Sequence, residues 1–263
     1  MRIIVVESDT PELAEVARRT RGASNSDRFQ AVFAAAQPDI QSRVFSPYAG
    51  ETPDYSDAVG IVFTGSAVDW RVDDPKGAPI TQAMERAFSS GLPVWGSCNG
   101  MQLAAVLLGG TCRAAPSGFE AGIARAIELT VAGEAHPMMA GRRHGFAAPC
   151  IHRDEVADLP PDAVLLACNA HSRVQAFAYE AHGISFWGVQ YHPEYTAASM
   201  AAALSDRDGQ DPGFISDLRA ADTDPKAAER LGVHGGTFGM RNRANELFNW
   251  LAMVETRSDA VLI

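Results

Sequence analysis

The chain has 263 residues, 46% hydrophobic and 21% charged, the profile of an ordinary globular protein and not of a disordered one. Its formal net charge of −10 argues against nucleic acid or an anionic membrane as a partner. No apolar run reaches membrane-spanning length, Met1–Val6 opens directly into a strand and not a signal peptide, and the four cysteines show no CxxC spacing, so a reducing cytoplasm is expected.

In chain order, Arg2–Val6 reads as a first strand, followed by a helix through Phe29–Ala36. Val59–Phe63 is a second strand, and Pro79–Ser89 a helix with an apolar stripe. A strand over Pro93–Trp95 turns a glycine-flanked corner, Gly96–Gly100, into a helix over Met101–Leu108. The centre is β-rich, with strands over Ala124–Val131, Val164–Cys168, Val174–Tyr179 and Ser185–Tyr191. The tail carries helices over Met200–Leu204 and Arg241–Val254, the second amphipathic. Between them lies Ser205–Met240, rich in Asp, Gly and Pro, with short helical pieces at Phe214–Ala220 and Pro225–Leu231. Its simplest reading is a surface insertion without chemistry; a lid or docking element is the other. Alternating β and α followed by a block of strands predicts an open, mainly parallel α/β sheet with an antiparallel extension. There is no internal repeat.

Cys98 stands at the strand-to-helix corner. A side chain there projects clear of the backbone, with its sulfur over the first free N–H groups of the helix, and those dipoles favour thiolate over thiol. Gly96 and Gly100 leave room for a strained turn and for close approach of a substrate. The arrangement is the cysteine counterpart of the G-x-S-x-G nucleophile elbow.

A nucleophilic Cys needs a base and a group to aim it. His192 and Glu194 lie at the end of the Phe186–Tyr191 strand, where residues two apart share a side of an extended chain. The carboxylate can then accept one ring N–H and fix the tautomer. Pro193 between them fixes φ and donates nothing to a strand ladder.

These motifs resemble those of the class I, triad-type glutamine amidotransferases, most closely stand-alone relatives of the GMP synthetase amidotransferase domain. The resemblance rests on Gly96–Gln102 (GSCNGMQ) and Gly188–Glu194 (GVQYHPE). Gly60–Ser66 (GIVFTGS), His152–Val156 (HRDEV), and Asn169 through Val174–Phe177 (VQAF) add support, so that roughly residues 1–200 are covered. It implies a flavodoxin-like core with helices on both faces of the sheet and the ligand at the strand carboxyl ends. Residues 1–204 would form the amidotransferase-like domain, and 205–263 an insertion and closing helix packed on it.

The resemblance implies a Cys98–His192–Glu194 triad. Its oxyanion donors would be the backbone N–H of Asn99, just after the nucleophile, and that of Ser66 in the Thr64–Ser66 turn. The common family pattern there has two glycines and a proline; here Ser66 and Ala67 take the later positions. Gly65 would pass close to the substrate. Gln102, one helical turn beyond Cys98, would hydrogen-bond the substrate's amino-acid end, and the Ile151–His152–Arg153 backbone would hold its α-amino and α-carboxyl groups. His136, His144, His171, His182 and His234 have no metal-ligand spacing, so neither a metal nor a cofactor is expected. Cys112, Cys150 and Cys168 read as buried packing residues, and Asp69, Asp73 and Asp74 as a solvated loop.

Three functions compete. The leading one is a glutaminase that splits glutamine and passes ammonia to a separate synthase, since the chain has no phosphate-binding P-loop pattern of its own. The alternative is a self-sufficient hydrolase of γ-glutamyl amines or peptides using the same triad. The third, a binding module on the same fold, is disfavoured by the intact Cys98, His192 and Glu194.

Overall fold

The structure, a computed structural model, describes residues 1–205, 207 and 209–261. Asp206 and Asp208, within the stretch read as an insertion, lie outside the described residues.

The amino-terminal half alternates strand and helix: β1 (Arg2–Val6), α1 (Pro11–Arg21), α2 (Asn25–Ala36), β2 (Gln41–Phe45), β3 (Gly60–Phe63), α3 (Ala78–Ser89), β4 (Pro93–Ser97) and α4 (Asn99–Leu107). Next come β5 (Thr111–Ala114), β6 (Glu120–Leu129), α5 (Val131–Ala135), β7 (Phe146–His152), β8 (Asp154–Asp158), β9 (Ala163–Cys168), β10 (Ala176–Ala181) and β11 (Ile184–Val189). The tail is helical: α6 (Ala197–Ser205), α7 (Pro212–Ala220), α8 (Pro225–Arg230), α9 (Met240–Arg243) and α10 (Asn245–Val261).

The main sheet runs β2-β1-β3-β4-β11-β10-β9-β6-β7. The first five strands in that order are parallel, and the remaining pairings are antiparallel. Alternation along β1 divides the core. Ile3 and Val5 pack with Phe29, Phe33 and Trp250 on one face, while Ile4 and Val6 pack with Ile80, Met84 and Met101 on the other. Both faces are covered, which is why these strands read as unbroken apolar runs. Helices α6, α7 and α8 form a third cluster around Met200, Ile215, Leu218 and Phe238.

Four elements end differently from the sequence expectation. The Ala124–Val131 strand stops at Leu129, because Thr130 caps α5 by accepting from the Gly133 N–H at 2.9 Å. Val174 and Gln175 precede β10, whose pairing with β9 slips beside Ala176. The Ser185–Tyr191 strand closes at Val189, and the chain then turns. The Arg241–Val254 helix is two helices, interrupted at Ala244 (φ −101°, ψ 18°).

The topology places β4 between β3 and β11, so their carboxyl ends converge. Three chain segments meet there: the turn after β3, the corner into α4, and the loop after β11.

Candidate active site

Cys98 occupies the corner between β4 and α4 with φ 49° and ψ −105°, a left-handed backbone that non-glycine residues avoid. Such strain costs about 1–3 kcal/mol and persists only when the surroundings enforce it. Here the Cys98 N–H donates to the Val189 carbonyl at 2.8 Å, and its own carbonyl accepts from the Gln102 N–H at 2.9 Å. The corner is also too tight for side chains: a Cβ on Gly96 would lie 2.7 Å from the Gly100 carbonyl carbon, and one on Gly100 2.6 Å from the Phe63 carbonyl oxygen. The thiol is largely buried yet lines a cleft of about 410 Å³.

His192 and Glu194 face each other as expected, Nδ1 to Oε1 at 2.7 Å, but not by strand alternation. They sit in a turn beyond β11, in which the Tyr195 N–H donates to the His192 carbonyl at 3.1 Å. The turn forms where Pro193 removes a ladder donor. The other ring nitrogen, Nε2, lies 3.3 Å from the Ile151 carbonyl oxygen, and Cys98 Sγ lies 3.7 Å from that same oxygen. Sulfur and imidazole therefore converge on one point. Because Nε2 and Nδ1 both face oxygen acceptors, the ring is suited to carrying two protons. Burial opposes that charge, but the Glu194 carboxylate and the nearby Cys98 sulfur outweigh it and push the His192 pKa up to about 10. Glu194 is itself buried, and its Oε2 has no partner among the described residues.

The Thr64–Ser66 turn passes over this pair. A Cβ on Gly65 would lie 2.6 Å from His192 Cε1 and 3.6 Å from Cys98 Cβ, so only glycine fits. The Ser66 hydroxyl is shared between the Ser8 carbonyl (2.8 Å) and Asp9 Oδ1 (2.9 Å). Burial and the neighbouring Glu7 carboxylate raise the Asp9 pKa to about 6, against the pull of the Ala67 N–H and Ser66 hydroxyl. Asn99 begins α4 and lines the cleft beside Ser66.

Gln102 is buried at the cleft wall, and its amide nitrogen donates to the Asp154 carbonyl (2.6 Å) and Gln190 Oε1 (3.1 Å). Both amide protons are thus committed, and Gln102 offers the cleft its oxygen alone. Ile151, His152 and Arg153 line the cleft at the end of β7. His152 is a buried strand residue, with Nε2 2.9 Å from Glu120 Oε2 and Nδ1 3.0 Å from the Asp154 carbonyl. Arg153 reaches Asp154 and the Asp69 carbonyl instead of the cleft interior.

Glu120, Cys150 and His152 bring one ligand-type atom each within 4.8 Å of one another. This group serves as a hydrogen-bonded floor: Glu120 also accepts from Gln175 (2.7 Å) and Asn169 (2.6 Å), which helps hold its pKa below the ordinary value despite burial. Burial and Glu120 hold the Cys150 thiol well above its usual pKa. Cys112 is buried like Cys150, whereas Cys168 is half-exposed, contrary to the expectation of a packed core residue.

Sequence reasoning does not single out Asp9, Asn25, Glu120, Tyr195 or Arg243, yet all five bear on the site. Tyr195 packs its ring edge-on to His192 (centroids 4.9 Å apart) and Arg243 donates to the Pro193 carbonyl. Glu120 alone left a sequence signal, lying four residues ahead of a strand that could be read from Ala124 onward.

A family model described as glutamine amidotransferase class-I matches residues 71–208, which span both the elbow and the His-Pro-Glu turn. The chain belongs to the class I glutamine amidotransferase family. It is 32% identical over 211 residues to a γ-glutamyl-L-1-hydroxyisopropylamide hydrolase of a Pseudomonas species, covering 78% of this chain and 71% of that one. It is 35% identical over 171 residues to the glutamine-hydrolysing GMP synthase of Xanthomonas oryzae pv. oryzae, covering 63% of this chain and 29% of that one. The chain thus spans less than a third of the synthase. A solved glutamine amidotransferase from Thermotoga maritima shares the fold at a TM-score of 0.67 and 17% identity, with 97% of each chain covered. Another from Methylobacillus flagellatus does so at a TM-score of 0.62 and 18% identity, covering 97% of this chain and 93% of that one. Among the described residues, no helix is long and apolar enough to cross a membrane.

Proposed function

We propose that this protein hydrolyses the γ-amide C–N bond of a γ-glutamyl substrate through a thioester on Cys98, without needing a partner. The carrying observation is the convergence of Cys98 Sγ and His192 Nε2 on the Ile151 carbonyl, with Glu194 behind the ring at 2.7 Å.

In this reading the Cys98 thiolate attacks the γ-carbonyl carbon, and the carbonyl electron pair moves to oxygen. The Ser66 and Asn99 N–H groups hold that oxyanion; removing one such donor typically costs about 3 kcal/mol. As the tetrahedral species collapses, the C–N bond breaks and His192 gives its proton to the departing amine. Glu194 keeps the ring oriented and stabilises its charged form. A γ-glutamyl thioester remains. Water, losing a proton to His192, attacks the thioester through a second oxyanion and releases glutamate. The Gln102 oxygen and the Ile151–Arg153 backbone would receive the amino-acid end of the substrate.

Two observations favour independent action. The match takes in 71% of the hydrolase relative but only 29% of the Xanthomonas synthase. The Gly65 carbonyl is already held by Asn25 and Thr64 of this chain, which supports a turn set without a partner. A second reading, a glutaminase that supplies ammonia to a separate synthase, draws on the likeness to GMP synthase. The four unpaired thiols suit a reducing compartment in either case.

Steady-state hydrolysis by the isolated chain separates the two readings. Glutamine would be assayed beside γ-glutamyl alkylamides and γ-glutamyl dipeptides. Fast turnover of a substituted amide, with glutamine poor, is the expected result. Slow turnover confined to glutamine would instead point to a missing synthase.

A further inference from the structure

The Gly65–Ser66 peptide, which carries one of the two oxyanion donors in the reading above, is held in orientation by a side chain from a distant helix. Asn25, the first residue of α2, is almost fully buried and borders the cleft. Its Nδ2 donates to the Gly65 carbonyl at 3.0 Å and to Asp9 Oδ2 at 3.0 Å. Its Oδ1 accepts from the Tyr195 hydroxyl at 2.9 Å. Rotating the amide by half a turn would set its oxygen against two acceptors, so the assignment is unambiguous. Thr64 Oγ1 donates to the same Gly65 carbonyl at 2.9 Å.

A trans peptide points its C=O and N–H in opposite directions. There are no cis bonds among the described residues, so fixing the Gly65 carbonyl on Asn25 and Thr64 directs the Ser66 N–H the other way. That N–H makes no hydrogen bond among the described residues. Glycine at 65 leaves the peptide free to rotate unless something holds it. The third bond, from Tyr195, joins this device to the base, because the Tyr195 ring packs against His192. Burial keeps the Tyr195 hydroxyl protonated, and thus a donor, far above neutral pH.

We propose that Asn25 is a positioning residue: it locks the Gly65 carbonyl so that the Ser66 N–H is preset as an oxyanion donor, and through Tyr195 it ties that donor to the His192 turn. The role of Ser66 rests on the γ-glutamyl hydrolase reading, whereas the orientation of the peptide does not.

The test uses Asn25→Ala and, as a milder change, Tyr195→Phe. Alanine is favourable in the first turn of a helix that Ser24 already caps, so α2 is retained. For Asn25→Ala, kcat on the best γ-glutamyl amide should fall by about a hundredfold, the scale of a lost oxyanion donor, with KM within about threefold. Affinity for glutaric semialdehyde, which adds to Cys98 as a tetrahedral hemithioacetal, should fall by a similar factor. Alkylation of Cys98 by iodoacetamide, which needs the thiolate but no oxyanion donor, should change by less than about twofold. Tyr195→Phe should show the same pattern at about a tenth of the size. A crystal structure of Asn25→Ala should show the Gly65 carbonyl rotated or in two orientations.

A variant that keeps the carbonyl in place, with kcat and aldehyde affinity unchanged, overturns the proposal. So does an equal loss of alkylation rate, which would mean that the thiolate itself had been disturbed. If wild type hydrolyses no γ-glutamyl amide, the functional reading fails, and the carbonyl orientation in the Asn25→Ala crystal still decides the role of Asn25.

Discussion

Arg243 donates a hydrogen bond to the carbonyl of Pro193, the residue between His192 and Glu194. The guanidinium comes from the last residue of α9, in the tail, and is almost wholly buried beneath the turn that carries the proposed base. Burial pulls its pKa below the ordinary value, and the carboxylates of Glu194 and Asp222 pull the other way. The tail thus braces the site from below, through a residue that lies beyond position 204.

Removing that brace gives the first prediction. Arg243→Leu leaves the Pro193 carbonyl buried and unpartnered, which costs about 1–3 kcal/mol of stability. The loosened turn should also lower kcat about tenfold, equivalent to about 1.4 kcal/mol. Urea unfolding and steady-state kinetics check both effects. A variant as stable and as active as wild type would remove Arg243 from the account.

Gly65→Ala addresses the contact above the imidazole. The new Cβ would fall 2.6 Å from His192 Cε1, so either the ring or the turn must move. Hydrolysis should drop by at least about a hundredfold, because base and oxyanion donor are displaced together. Far-UV circular dichroism should be unchanged. Activity within a few-fold of wild type would show that the turn does not approach the base in solution.

The proton held on His192 makes stability depend on pH. Its folded pKa, about 10, lies above the unfolded value of about 6.5. The folded state therefore binds the proton more tightly, and this contribution is complete below about pH 6.5 and is lost as pH rises towards about 10. Glu194→Gln removes the largest favourable cause. Denaturant midpoints between these limits should fall with pH in wild type and show a weaker slope in the variant. Identical slopes would contradict the buried ion pair.

Thiol chemistry should be selective. Burial raises the Cys112 thiol to about 12 and holds Cys150 well above its usual range, so neither forms thiolate near neutral pH. A diazo-ketone analogue of glutamine should modify Cys98 and leave Cys112 and Cys150 untouched, as read by peptide mass spectrometry. Comparable labelling of the buried thiols would argue against a special role for Cys98.

The parallel half of the fold is legible in the sequence because strands buried on both faces must be apolar throughout, as β1 and β3 are. Helix α1 escapes a periodicity reading because only Ala14 and Ala17 on its face are buried; Thr10 and Pro11 define it instead. Strand β5 is short and mostly exposed, so it carries no pattern to read. At the site, the pairing of His192 with Glu194 is legible, but its cause is a turn that one-dimensional strand alternation does not describe. Asn25 and Arg243 leave no local trace at all. Each acts by donating from its side chain to a distant backbone carbonyl, Gly65 and Pro193 respectively, and such contacts exist only once the sheet has brought the segments together.

The proposed chemistry turns on a covalent γ-glutamyl intermediate on Cys98. It can be trapped in acid-quenched enzyme, sampled during turnover of a γ-glutamyl amide and analysed by peptide mass spectrometry. A glutamyl adduct confined to the Cys98 peptide, released by hydroxylamine and missing from Cys98→Ala along with activity, is the predicted result. Continued turnover by Cys98→Ala, or an adduct on another residue, would contradict the account.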